Sequence, residues 1–435
     1  MYLKKSHVQY ITLGLVACLS SQVKAELSLN DLFSTQQNCE SALQNQSIQN
    51  QSIENTFLCG KISGRLNTLY YSTHDAFFVK NLNQDTVTTG GFIKYETAPF
   101  YGVQAGVSFA GQRRLDDKNS TNDEVTELKN DKDGLGEAYL SWKNQDWNIR
   151  VGQQSLDAPF IGNYDWRVMP PLFQAADFKY GQKDDFIRGT YVRRFKSYAD
   201  DEFFKTSSYS NQIETDGMWS IGLGKSFDLD HKKLTTQAWY QSYQDYANVA
   251  YVESHLQLNE MKYQPDFGVQ MMYAQDQGDA KAGKVDHQGV GIALGLKMSP
   301  KITLKSGYNY IHPNKDGYLN GALFVPYMIY TSSGPYFAQP FFTSTQDLGA
   351  GHAVMLAVEG ALSDQTFVGA NYSLMNLAES DQVKNLNQSE YVVYGIYNFS
   401  GHLKGWSVFN FFGVSTSPRS DDSFVQNRLG LKYAF

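Results

Sequence analysis

The sequence predicts an all-β fold, an 18-stranded antiparallel transmembrane β-barrel with inward-folded constriction loops. Three observations carry this. Apolar and polar residues alternate with period two along most of the chain, as in strands whose two faces meet different surroundings. Short polar turns alternate with longer, irregular loops, and an even strand number with short turns at one end is the pattern of an outer-membrane barrel. The chain also holds 29 Tyr, 27 Phe and 6 Trp. That many aromatics fit lipid-facing girdles better than the soluble β-sandwich that is the alternative all-β reading.

Residues 1–25 read as a secretory signal peptide. Lys4 and Lys5 form a basic start, "ITLGLVACL" is an apolar run too short to cross a membrane as a helix, and "VKA" is a small-residue cleavage site ending at Ala25. "LVAC" also reads as a lipobox, which would leave Cys18 acylated. After cleavage Cys39 and Cys59 remain, an even pair in an exported chain and so a disulfide candidate; two separate thiols are the other reading. Residues 26–60 are rich in Gln, Asn and Ser, duplicate "QSI" and lack alternation. They are expected as a periplasmic N-terminal extension, either partly helical or a flexible leader.

Residues 61–435 form the barrel. "WNIRVGQ" sets Trp147, Ile149 and Val151 against Asn148, Arg150 and Gly152. "GVGIALGLKM" sets Val290, Ile292, Leu294 and Leu296 against Gly291, Ala293, Gly295 and Lys297, and the small residues are expected to line an open lumen. "FVQNRLGLKYAF" sets Leu429, Leu431 and Tyr433 against Arg428, Gly430 and Lys432. Short turns fall near residues 97–101, 143–147, 181–184, 229–231, 258–262, 299–301, 363–365 and 400–403. Longer loops include residues 112–133, 156–174, 197–216 and 312–349.

The formal charge is −7, and removing the three lysines of the signal leaves −10. That excludes nucleic acid as a general partner. A lipid-facing Arg or Lys near the midplane costs roughly 2–4 kcal/mol, so a charge flanked by apolar residues at period two must face the lumen. This rule points Arg65, Arg150, Arg188, Arg194, Lys305, Arg428 and Lys432 inward, with Lys143 a weaker case near a turn. Glu137 is the clearest inward carboxylate; most acids fall in loops. An acidic protein with a basic inner wall would draw small anionic or zwitterionic solutes. The alternative is that each arginine pairs with a loop carboxylate and fills the pore.

Residues 156–174 hold Pro159, Tyr164, Trp166, Arg167, Pro170, Pro171 and Phe173. Proline cannot donate to a ladder, so this stretch is expected as a loop, and one too apolar to stand free in water. It would fold inward and narrow the channel, with Asp165 a possible partner for Arg167. A packed outer cap is the other reading. Residues 324–347, aromatic and nearly uncharged, are a second inward candidate.

On "GRLNTLYY", "VGQQSLDAPFIGNYDWRVMPPLFQAADF" and "LGLKYAF", the chain resembles the OprD-type porins, also called outer-membrane carboxylate channels. The resemblance implies an outer-membrane diffusion channel for small carboxylates or amino acids, with Arg167 as the arginine of a loop that enters the pore. It makes Arg150, Arg188 and Arg194 members of a basic row. Outer-membrane lipids would be the surrounding partner. A general size-limited porin and a surface-attachment barrel are the alternatives. No catalytic, metal or cofactor motif is read: "GVGIALG" has the wrong spacing for a dinucleotide, there is no HExxH or GxSxG, and the two mature cysteines lack metal-ligand spacing.

Overall fold

A wall between lipid and water needs side chains of two kinds and no unpaired backbone. The computed structural model has a two-faced wall and a ladder that closes on itself. It describes residue 39 and residues 52–116, 123–125, 128–161, 167–207, 214–324, 326–327, 335–343, 348–381 and 383–435. The signal peptide and Cys18 lie outside the described residues.

The strands are β1 (Lys61–His74), β2 (Gln84–Glu96), β3 (Val103–Arg114), β4 (Lys132–Asn144), β5 (Trp147–Gln154) and β6 (Leu172–Gln182). There follow β7 (Asp185–Lys196), β8 (Met218–Leu229), β9 (Lys232–Tyr243), β10 (Ala247–Leu258), β11 (Asp266–Asp276) and β12 (Asp286–Ser299). The last are β13 (Ile302–Ile311), β14 (Gly351–Ala361), β15 (Thr366–Leu377), β16 (Gln388–Asn398), β17 (Trp406–Thr416) and β18 (Phe424–Ala434). Each pairs antiparallel with its neighbours in sequence, and β1 pairs with β18, Tyr70 opposite Leu429, to close the 18-stranded sheet. The expected strand number and closure are borne out. Turn lengths are less regular than expected, since β9 and β10 are joined at the long-loop end by residues 244–246 alone.

The two faces follow the alternation. On β1, Arg65, Asn67, Leu69 and Tyr71 are buried inward while Leu66 is exposed outward. On β12, Val290 and Ile292 are exposed, and Gly289, Gly291, Ala293 and Gly295 face inward. Outward aromatic pairs mark both rims. Trp147–Tyr180 and Trp406–Tyr433 lie near the short-turn end, and Trp219–Tyr240 near the other.

A barrel this wide encloses more space than its wall side chains fill. Its core is therefore built where loops meet the wall. Leu156, Phe160, Ile161 and Met169 pack against Val192, Tyr243, Val249 and Tyr251. Val168 joins Leu69, Tyr71, Phe342, Phe409 and Phe411 in a second cluster.

The chain divides into two compact units, and one holds Met1–Gly60 with the turn Thr97–Tyr101. Within it a short helix, α1 (Ile53–Leu58), starts at Ser52, whose hydroxyl accepts from the Asn55 amide at 3.0 Å. Ala98 donates its amide to the Thr56 carbonyl at 2.9 Å. Cys39 and Cys59 are bridged by a disulfide.

The two faces predict different tolerance of charge. Ile292→Arg, outward and mid-strand, should destabilise the barrel by about 2–4 kcal/mol in denaturant unfolding from lipid vesicles. Gly295→Arg, inward with only the Asp266 Cβ nearby at 3.5 Å, should cost well under half of that.

Candidate functional site: the lumen constriction

Two described parts of the first constriction loop, residues 155–161 after β5 and 167–171 before β6, lie against opposite parts of the inner wall. Gln241 on β9 donates its side-chain amide to the Pro159 carbonyl at 2.6 Å, and Phe160 meets Tyr251 on β10 edge to face. The loop then reaches the far wall, where Asn67 on β1 donates to the Arg167 carbonyl at 3.2 Å. A Cβ on Gly90 would meet the Gly111 carbonyl oxygen on β3 at 2.1 Å and Val168 Cγ1 at 2.8 Å, so neither the neighbouring strand nor the loop leaves room for a side chain there.

Arg167 is buried, with 8% of its surface exposed. Its guanidinium lies over the rings of Tyr71 at 5.7 Å and Tyr198 at 5.0 Å. Asp165, its suggested partner, lies outside the described residues. Pro171 is buried and Pro170 lines a cavity below the loop. The loop ends earlier than expected. β6 begins at Leu172, directly after the prolines, so Phe173 is a strand residue opposite Gln154 and Phe195 and is buried beside the loop. Proline blocks a ladder only at its own amide, and the chain resumes pairing at once.

A second segment also enters. The Pro335 carbonyl accepts from Gln270 on β11 at 2.8 Å, and the Ala338 amide donates to Asn309 on β13 at 2.8 Å. A Cβ on Gly307 would meet the Phe337 carbonyl oxygen at 2.2 Å. Glu390 on β16 is fully buried and accepts from the Phe341 amide at 2.7 Å, the Phe342 amide at 2.8 Å and the Thr343 hydroxyl at 3.0 Å. Burial pushes the Tyr327 hydroxyl up to about 12 and the Tyr336 hydroxyl well above its ordinary value, so these two tyrosines add no phenolate charge. Asp347 lies outside the described residues.

The inward cations fall into groups. In the half nearer the short turns, Lys432, Arg65, Arg150 and Arg188 follow one another around β18, β1, β5 and β7. Two inward cations that the sequence reading passed over extend this arc, Lys94 on β2 and Lys179 on β6. The same alternation could have found them, since Lys94 follows exposed Ile93 and Lys179 sits between exposed Phe178 and Tyr180. Arg65 lies over Phe92 at 5.3 Å and Arg150 over Tyr139 at 4.2 Å. Lys94 pairs with Glu96 at 3.4 Å and Glu137 at 3.3 Å; Arg188 pairs with Asp177 at 2.8 Å. Arg150 makes no ion pair among the described residues.

The other predicted cations stand apart from this arc. Arg428, toward the long-loop end of β18, stacks on Tyr71 at 4.6 Å and Phe342 at 4.4 Å and donates to the Tyr71 hydroxyl at 3.1 Å. Arg194 does not share the inward face of Arg188 as expected. A β-bulge sets Val192 opposite Ala175 but Arg194 opposite Gln174, between the inward pair Phe173 and Phe195 and that of Ala175 and Val192, so Arg194 takes the other face. Lys305 is on β13, away from the arc, and pairs with Glu359.

Two cavities flank the first loop. One, of about 450 Å³, is lined by Arg65, Lys94, Glu137, Arg150, Asp157 and Pro170 among others. The second, of about 380 Å³, is lined by Asp157, Pro159, Lys179, Arg188, Trp239 and Pro335. Both inward loops meet at the second. The wall is apolar outside and carries cations inside, with loops reducing the bore.

A family model described as "outer membrane porin, OprD family" matches residues 110–338, over half of the chain. The chain belongs to this family. As an OprD-family member it is a small-molecule channel of the bacterial outer membrane. No curated protein matches it. Among solved structures, Pseudomonas aeruginosa OccK9 (OpdG) aligns with a TM-score of 0.75 at 16% identity, over 88% of this chain and 99% of that one. The BenF-like porin from Pseudomonas fluorescens Pf-5 gives 0.74 at 14% identity, over 86% and 98%. Pseudomonas aeruginosa OpdK with vanillate gives 0.72 at 13% identity, over 86% and 98%. At these identities the likeness is one of fold.

Glu390 offers a direct test of loop anchoring in this porin. Glu390→Ala strands three donors, each costing about 1–3 kcal/mol if left buried and unpaired. The barrel should persist on heat-dependent gel mobility, while single-channel conductance rises and its noise increases.

Proposed function

We propose that this porin passes small anionic or zwitterionic solutes, carboxylates and amino acids, along the cations of β18, β1, β2, β5, β6 and β7. The observation that carries the reading is that arc: Arg65, Lys94 and Arg150 line one cavity of the constriction, and Lys179 and Arg188 the other. A carboxylate moving along it exchanges water for guanidinium or ammonium donors at successive steps, which lowers the barrier to crossing a narrow lumen. Arg65 and Arg150 rest on the rings of Phe92 and Tyr139, which hold their charge in place, and stacking leaves the Arg150 edge donors for a solute. The OpdK neighbour was solved with vanillate, itself a carboxylate, and a solute of that kind suits the arc.

In this reading Arg167 supports the loop. Its guanidinium is spent on Tyr71 and Tyr198, and Pro170 rather than Arg167 faces the cavity. A second reading, a size-limited general porin, draws support from the pairs that offset cations, Lys94 with Glu96 and Glu137 and Arg188 with Asp177.

Planar-bilayer recording separates the two. In a salt gradient near 0.1 M, Arg150→Ala should cut the chloride-to-potassium permeability ratio about fourfold, the effect of one unit charge a few ångströms from the path in water. At 1 M, where screening reaches about 3 Å, the difference should nearly vanish. Arg167→Ala should move the ratio less. A ratio unchanged by Arg150→Ala at low salt, with solute rates set by size alone, would establish the general porin instead.

A further inference from the structure

We infer that Asp157 is a specificity-determining residue of the channel, a fixed negative charge set between two basic cavities that disfavours dianions and favours solutes carrying an ammonium group. The inference rests on the anion-path reading above. Asp157 lines both cavities, so a solute held in either one lies beside this residue.

Its surroundings hold it there. Leu156 before it and Phe160 and Ile161 after it are buried almost completely. Its carbonyl accepts from an Arg188 guanidinium nitrogen at 2.6 Å, and the Ala158 amide bonds the Ile161 carbonyl at 3.1 Å. The backbone is thus pinned on both sides while the side chain is exposed to the lumen.

The nearby carboxylates differ in one respect. Glu137 is engaged by Lys94 and by the Ser155 amide at 3.2 Å, and Asp177 by Arg188 and the Thr190 hydroxyl. The Asp157 carboxylate makes no hydrogen bond or ion pair among the described residues. Its charge is therefore presented to solutes. A monocarboxylate meets one repulsion there, offset by Arg150 and Arg188. A dicarboxylate meets twice that repulsion. An α-amino acid can set its carboxylate toward the cations and its ammonium toward Asp157.

Liposome-swelling rates for propionate, succinate and alanine at pH 7.5 and low salt test this on the full-length porin. Asp157→Asn should raise the succinate-to-propionate ratio about threefold, the effect of one extra unit charge within several ångströms in water, and lower the alanine-to-propionate ratio. Asp157→Glu, which keeps the charge, should behave as wild type and so excludes a merely structural effect of the substitution. Unchanged ratios in Asp157→Asn, with Arg150→Ala still lowering anion preference, would overturn the role of Asp157 alone. Unchanged ratios in both variants would overturn the anion path and this inference together.

Discussion

Lipid on one side of a single-layer wall and water on the other is the constraint from which the rest follows. It forces every backbone polar group into a ladder, which only closure can achieve, and β1 meets β18 for that reason. It also forces each strand to carry its charges on one face. The apolar outer face and the basic inner face are two results of the same cost, the desolvation of a charge in hydrocarbon.

Closure at 18 strands creates a second problem, an interior too wide to be selective. Two inward segments narrow it, and the wall gives up polar side chains to hold their described parts. Asn67, Gln241, Gln270, Asn309 and Glu390 all face inward, yet each bonds the backbone of a loop. Glycine plays the matching steric part at position 307, where any Cβ would collide with the backbone of a loop. The inner surface therefore has two kinds of polar residue. One kind satisfies buried loop amides and carbonyls, and the other meets water and solute.

The same division applies to the cations. Toward the long-loop end, Arg428 and Arg167 share the Tyr71 ring, and Phe342 covers Arg428, so these charges are spent inside the packed plug. Toward the short-turn end the cations border open cavities, and partial pairing with Glu137 and Asp177 tempers without abolishing their field. A basic residue facing the lumen thus acquires its role from its height in the barrel as much as from its charge.

The strands, their number and the face most side chains take were legible in the sequence, because period two and the cost of charge in lipid act residue by residue; the bulge that turns Arg194 was not. The same rule reached Arg65, Arg150, Arg188 and Lys432, and applied fully it would have reached Lys94 and Lys179. The proline-rich stretch after β5 was legible as a loop, though its end was misjudged at Phe173, which depends on pairing with Gln154 and Phe195. What the tertiary structure alone decided is which inward groups remain available. Asn67 holds Arg167 from 100 positions away in sequence, and Glu390 holds Phe342 from 48. Such pairings depend on register around the barrel and on where a loop crosses it. Local pattern carries neither, so it could point the loop of Arg167 inward but could not say that packing would cover Arg167 and leave Asp157 exposed.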